Sequence, residues 1–210
     1  VFNTRCRELL SGLEEAEAEI SSRSGAARGL LRVNVPVSFG IQTLAPLWDA
    51  FHELHPQVRL DVELSDRVVD VVEEGYDLAI RIATLSSSSL ISKRLASTRI
   101  VLCASPEYLT NYGKPSNPAD LAEHKVIGYS YWLGGDAWEF DGPEGLVNVK
   151  IHPWMSTNNG DTCRAVALAH QGVILQPTFL VGDDLAAGRL VEIIPEYRSI
   201  ELGIYAVYPT

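Results

Sequence analysis

Cys103 stands two residues ahead of Ser105-Pro106, where a serine followed by proline reads as the cap and first position of a helix. A thiol beside a helix N-terminus is a candidate nucleophile, because the dipole favours the thiolate. It would also need a base, and His124, His152 and His170 lie in segments that the sequence does not place beside it. A cysteine-dependent hydrolase is therefore the outlying alternative, and a small side chain lining or backing a cleft is the favoured one. His52 and His55 in "HELHP" fall at i and i+3, not at the i and i+4 of a zinc-protease helix, and Pro56 ends the helix there. The pair reads as a helix terminus. Asp183 and Asp184 could be a metal pair, but they read as the acidic start of a helix, where capping explains them. The chain has no phosphate-loop pattern, no Gly-x-Ser-x-Gly elbow and no CxxC pair. Neither a metal site, a cofactor nor a catalytic activity is expected.

Binding chemistry is better represented. Four junctions lead from a strand end into a helix start through small or polar residues. Pro36 hands over through Val37 to Ser38-Phe39-Gly40, and the others are Ser65-Asp66, Ala104-Ser105-Pro106 and Gln176-Pro177-Thr178. A fifth polar cluster, Thr157-Asn158-Asn159, opens a helix, and Tyr129 in the strand "HKVIGYSY" joins the ligand-binding candidates. Each junction offers free backbone N–H groups beside a hydroxyl or amide, which suits a carboxylate or another small anion. For any single junction simple capping is the competing explanation. Arg81, at the end of an apolar strand, could hold an anionic ligand or serve as an internal ion-pair partner.

The elements that must position these residues follow from periodicity. Phe2, Cys6, Leu9, Leu13, Ala16 and Ile20 are spaced as a coiled-coil seam, with a surface helix on its own core as the alternative; "SSRSGAARG" then reads as a linker. Leu31, Val33 and Val35 alternate as a strand. Ile41, Leu44, Leu47, Trp48, Phe51 and Leu54 form one face of the following helix. Val58 to Leu64 alternate as a second strand, "DRVVDVVEEG" reads as a short helix closed by Gly75, and "YDLAIRIA" is a third, buried strand. Such a βαβαβ run implies a parallel sheet. A second α/β unit begins with the strand "RIVLCA". It includes a hairpin turned at "DGPEG", a helix over residues 158–172 stopped by Gly172, the buried strand "VILQ", and β-rich segments "RLVEIIP" and "ELGIYAVYPT". Two α/β lobes joined by strands that cross twice are inferred, and ligands sit in the cleft between such lobes.

The 210 residues are 46% hydrophobic, enough to fill a sizeable core, and no apolar run is long enough to span a membrane. Cys6, Cys103 and Cys163 are odd in number and far apart, which argues against a disulfide framework and for a reducing, cytoplasmic setting. A net charge of −10 would repel a phosphate backbone, so this segment is not expected to grip nucleic acid itself. The chain opens at Val1 inside a helical pattern, and a preceding portion is expected.

From Phe2 to Thr210 the sequence resembles the linker helix and effector-binding domain of LysR-type transcriptional regulators. "GLLRVNVPVSFG", "YDLAIR", "VLCASPEYL" and "FLVGDDLAAGRLV" carry the resemblance, and their combination is specific. The resemblance implies an α/β fold of two Rossmann-like lobes with a cleft between them, similar to type 2 periplasmic binding proteins, preceded by an N-terminal linker helix. It divides the chain into a dimerisation helix over residues 1–22, a first lobe over 30–98 with 190–210 returning to it, and a second lobe over 99–189. A small-molecule effector is implied at Ser38, Phe39 and Ser65 in the first lobe. In the second it is implied at Cys103 to Ser105, around Asn158, and at Gln176 to Thr178. The resemblance also implies homodimers formed through the linker helix, effector domains often paired antiparallel to give homotetramers, and promoter DNA contacted only through a winged helix-turn-helix upstream of this chain. Gln176 and the quartet Ser86 to Ser89 depart from the common pattern, and a last helix beyond Thr210 would complete it. A transport-type solute-binding protein shares the fold and is the alternative reading.

Overall fold

The computed structural model describes residues 27–84, 90–132 and 134–209. The expected dimerisation helix with Phe2, Cys6, Leu9, Leu13, Ala16 and Ile20, and the serine quartet 86–89, lie outside them.

Strand β1 (Gly29–Val35) is central to the first lobe, and its last three residues, Val33, Asn34 and Val35, are all buried. Burial on both faces is what a parallel sheet covered by helices requires. It pairs in parallel with β2 (Val58–Leu64) on one side and β3 (Leu78–Ala83) on the other. As an edge strand, β2 keeps Arg59, Asp61 and Glu63 exposed between half-buried Val58, Leu60 and Val62. The sheet continues through β11 (Glu201–Tyr208), antiparallel to β3, to β4 (Ile91–Ala104).

β4 is the strand that makes two lobes from one sheet. Its first part pairs with β11 in the first lobe, while Ile100 to Cys103 pair with β9 (Ile174–Pro177) and Cys103 and Ala104 with β10 (Val191–Glu192) in the second. Fourteen residues span about 46 Å, enough to cross the molecule. The second crossing is the return from β10 to β11, after Leu190, Ile193 and Ile194 have packed into the second-lobe core. The second lobe also holds helix α2 (Pro106–Tyr112), capped by the Ser105 hydroxyl as expected, and parallel strands β5 (Ile127–Tyr129) and β8 (Met155–Thr157). A hairpin of β6 (Ala137–Gly142) and β7 (Gly145–Lys150) turns at Pro143-Glu144. Helices α3 (Gly160–Leu168) and α4 (Thr178–Ala186) complete it.

Four local expectations are corrected. Residues 66–75 form bends and turns, not a helix. Four β-branched valines lower helix propensity there, and the Asp70 carboxylate binds the N–H groups of Val72 and Glu73, a local alternative to helical bonding. The helix after β1, here α1, is composite, running from Val37–Phe39 through a π turn Gly40–Leu44 and a 3-10 turn Ala45–Leu47 to Trp48–Leu54. Pro46 has no N–H to give the Gln42 carbonyl, and the π turn breaks the 3.6-residue repeat, so Ile41, Leu47 and Leu54 do not share a buried face with Leu44, which packs on the core. Helix α3 ends at Leu168, ahead of Gly172, and His170 takes the left-handed conformation at φ 64°. Asp183 and Asp184 lie in the second half of α4, not at a helix start.

Candidate functional site

At the end of β1, Pro36 is extended and Val37 begins α1. The Val37 N–H donates to Asp66 Oδ1 at 2.9 Å, so a first-turn donor of the helix is taken by the protein's own carboxylate. The Ser38 hydroxyl donates to Asp161 Oδ2 at 2.6 Å, and the Gln42 amide donates to Asp161 Oδ1 at 2.8 Å. Asp161 belongs to the first turn of α3, in the opposite lobe. Two further contacts link the lobes, Thr98 with Thr178 at 3.1 Å and Phe39 edge-on to Phe179 at 5.3 Å between centroids, and the Asn159 side chain comes near enough to Asp66 to lower its pKa. Within the first lobe, Gly40 lets α1 lie close to β1 and β2: a Cβ there would lie 2.5 Å from Leu64 Cδ2 and 3.3 Å from Val35 Cγ1.

These contacts close the lobes around a cleft of about 220 Å³. Ser38, Ser65, Asp66, Arg81, Tyr129, Gln176 and Pro177 line it. Val37, Phe39, Asn159 and Thr178 stand just behind, in the contacts already described, whereas Asn158 is exposed outside it. The structure does not bring Cys103, Ala104 and Ser105 to the cleft. All three are fully buried at the far end of β4, which enters the second lobe from the cleft side, so that its Ile100 faces the opening. Reading every strand as ending at the cleft holds for β1 and fails for this antiparallel crossing strand. Burial pushes the Cys103 thiol far above its usual range, and the Cys163 thiol is pushed up to about 11.

His170 approaches Ser105, not Cys103: its Nδ1 is 2.9 Å from the Ser105 hydroxyl and its Nε2 is 3.3 Å from Glu107. The residue types are those of a serine hydrolase triad. The hydroxyl, however, is wholly buried and already accepts the Tyr108 N–H as the cap of α2, which makes the group a structural tie. Asp183 and Asp184 form no pair either: Asp183 is exposed, and Asp184 is fully buried between the guanidinium groups of Arg164 and Arg189. Among the described residues no three His, Cys, Asp or Glu side chains are grouped to hold a metal ion.

Sequence reasoning missed the aromatic side of the cleft, formed by Tyr131, Trp132 and Phe179, and it missed Asp161. An acid in the first turn of a helix already has a local explanation, so nothing in the sequence separates Asp161 from an ordinary dipole partner.

The charges in the cleft are unevenly matched. Arg81 is half-buried in its wall, and its hydrogen bonds go to neutral acceptors: Asn34 Oδ1 at 3.0 Å, the Ile80 carbonyl and the Val69 carbonyl. Desolvation lowers its pKa, yet a guanidinium stays charged. Asn34 is itself fully buried, and among the described residues its Nδ2 has no hydrogen-bond partner. Elsewhere in the lining, burial raises the Asp66 carboxyl above its ordinary value against the lowering effect of the Val37 N–H, and Asp161 adds to the rise. Tyr129 is raised by burial and by the nearby Asp66.

A family model described as the LysR substrate binding domain matches residues 24–210. An uncharacterised HTH-type transcriptional regulator of Haemophilus influenzae is 34% identical over 209 residues, covering 100% of this chain and 73% of the relative. The regulator YhjC of Escherichia coli K12 is 32% identical, covering 99% of this chain and 70% of its own length. Among solved structures, the regulatory domain of CrgA from Neisseria meningitidis is 30% identical and superposes with a TM-score of 0.79, covering 88% of this chain and 90% of that one.

Proposed function

This chain belongs to the LysR-type transcriptional regulators, matching their substrate-binding domain, and from that premise we propose that it senses a small anionic effector in the cleft between its lobes. The observation that carries the anionic reading is Arg81. A half-buried guanidinium that lines the cleft and gives its hydrogen bonds to neutral acceptors is the kind of donor a carboxylate would satisfy. Tyr129, Tyr131 and Trp132 supply apolar area for the remainder of a ligand no larger than about one ring, given the 220 Å³ available. Effector binding alters the balance of lobe arrangements only by its differential affinity for them. We place the coupling to DNA in a helix-turn-helix domain preceding this chain, and dimerisation in the seam of Phe2, Leu9, Leu13, Ala16 and Ile20. The lobe boundaries follow β4, near residue 99, and the return before β11.

The test is thermal unfolding of this chain with single carboxylates, aromatic acids and amino acids. A compound at 100 times its Kd stabilises the native state by about 2.7 kcal/mol, or roughly 5–10 °C for a chain of this size. The rise is expected to be lost in Arg81→Gln and partly kept in Arg81→Lys. An acid that stabilises Arg81→Gln as strongly as the native chain would overturn the site. Nothing supports turnover at Cys103, which is fully buried.

A further inference from the structure

The start of α1 and the Arg81 guanidinium offer opposite chemistry to a ligand in the cleft. At the start of α1 the donors are already engaged by the protein's own carboxylates: the Val37 N–H by Asp66, and the Ser38 hydroxyl and Gln42 amide by the two oxygens of Asp161. Ser38 is only 6% exposed, so the hydroxyl side of its 2.6 Å hydrogen bond is shielded from water while Asp161 is half-buried. Gly160 lets the start of α3 come this close. A Cβ there would lie 2.9 Å from Leu180 Cδ2, 3.2 Å from Gln176 Oε1 and 3.5 Å from Ser38 Oγ. Arg81 gives its hydrogen bonds to neutral acceptors, and Glu74 acts on it through charge alone.

We propose that Asp161 is a specificity-determining residue, a carboxylate of the second lobe that fills the anion-receiving position of the first and thereby excludes anionic groups from the start of α1. An external carboxylate reaches Ser38 only by displacing Asp161, and it would then lie against two like charges, Asp161 and Asp66. The anionic group of an effector is thus directed to Arg81, and the carboxylates at the start of α1 accept a hydrogen-bond donor or a cation. The inference rests on reading the cleft as an effector site, and it narrows the effector to a small amino or hydroxy acid, as opposed to a dicarboxylate.

Asp161→Ala removes a group the size of formate while leaving Ser38 and Gln42 in place. Formate, compared with chloride at equal ionic strength, is expected to raise the unfolding midpoint of Asp161→Ala saturably, with no such rise in the native chain and none in Ser38→Ala/Asp161→Ala. Equal responses of Asp161→Ala and the native chain, including no response in either, overturn the proposal. Should Asp161→Ala give no cooperative transition, Asp161→Asn keeps an acceptor for Ser38 and removes the charge. Succinate is then expected to raise its midpoint more than that of the native chain, and equal shifts overturn the idea. If no acid binds the native chain, the effector reading fails while the formate comparison still decides the role of Asp161. If acids bind through Arg81 but formate rescues nothing, this proposal alone fails.

Discussion

Replacing Asp184 by alanine is expected to destabilise the chain by about 3 kcal/mol, well above the cost of removing a surface ion pair. The carboxylate is fully buried and receives both Nε and Nη2 of Arg164, the latter at 3.0 Å, and Nε and Nη2 of Arg189, each at 2.7 Å. Hydrogen bonds to a charged group contribute about 1.5–3 kcal/mol each, and the desolvation of a buried carboxylate offsets several kcal/mol of that sum. Breaking a fully buried pair costs about 3–5 kcal/mol. The lower end applies because the side chains of Arg164 and Arg189 are 29% and 53% exposed and can regain water in the variant. Urea unfolding followed by tryptophan fluorescence measures the change, with an unaltered denaturant slope confirming that the unfolded state is the same. The corresponding fall in Tm is about 6–12 °C. Burial alone raises the Asp184 carboxyl, but the two arginines outweigh it and hold it below its ordinary value. A depressed folded pKa gives stability that is present above the unfolded carboxylate pKa and lost as pH falls through the folded one. The gap between native chain and variant should therefore close in acid below the ordinary carboxylate range. A loss under about 1 kcal/mol at neutral pH, or a gap that persists unchanged into that range, would refute the reasoning.

Two further outcomes follow from the same structure. The Asp66 pKa is raised, chiefly by burial, so its contribution is fully present below the unfolded carboxylate pKa and is lost as pH rises through the folded one. Asp66→Asn, which keeps an oxygen for the Val37 N–H, should gain on the native chain in melting temperature as pH rises to neutrality, and a constant difference would contradict the assignment. Gly172→Ala places a Cβ 2.3 Å from the Lys125 carbonyl oxygen, backbone that is itself bonded to Val173 N at 2.8 Å. A loss of about 3 kcal/mol is expected in denaturant melts, and a loss under 1 would mean that the junction ahead of β9 yields more readily than its packing suggests.

Much of this protein was readable in its sequence because it depends on neighbours within a few residues. The alternation of Leu31, Val33 and Val35 gives β1, the turn residues between β6 and β7 give the hairpin, and Ser105 before Pro106 gives the cap of α2. The combination of "YDLAIR", "ASPEYL" and "FLVGDDLAAGRLV" also pointed to the family that the matched domain bears out. The bends at residues 66–75 escaped because apolar spacing outweighed the competing effect of β-branched side chains and an aspartate bonded to its own backbone.

The functional geometry belongs to the tertiary structure. Periodicity says which face of a strand is apolar but not which end meets the cleft. For β4 that was decided by antiparallel pairing with β9 and β11, strands more than seventy residues further along the chain, and it removed Cys103 to Ser105 from the site. The same holds for charge. Asp161 and Asp184 look like ordinary helix acids in sequence, and they became a cross-lobe partner of Ser38 and the buried centre of an arginine pair only when the chain closed. Local propensity is set by adjacent residues, whereas the environment of a carboxylate is set by whatever the fold carries to it, here across 123 residues from Ser38 to Asp161.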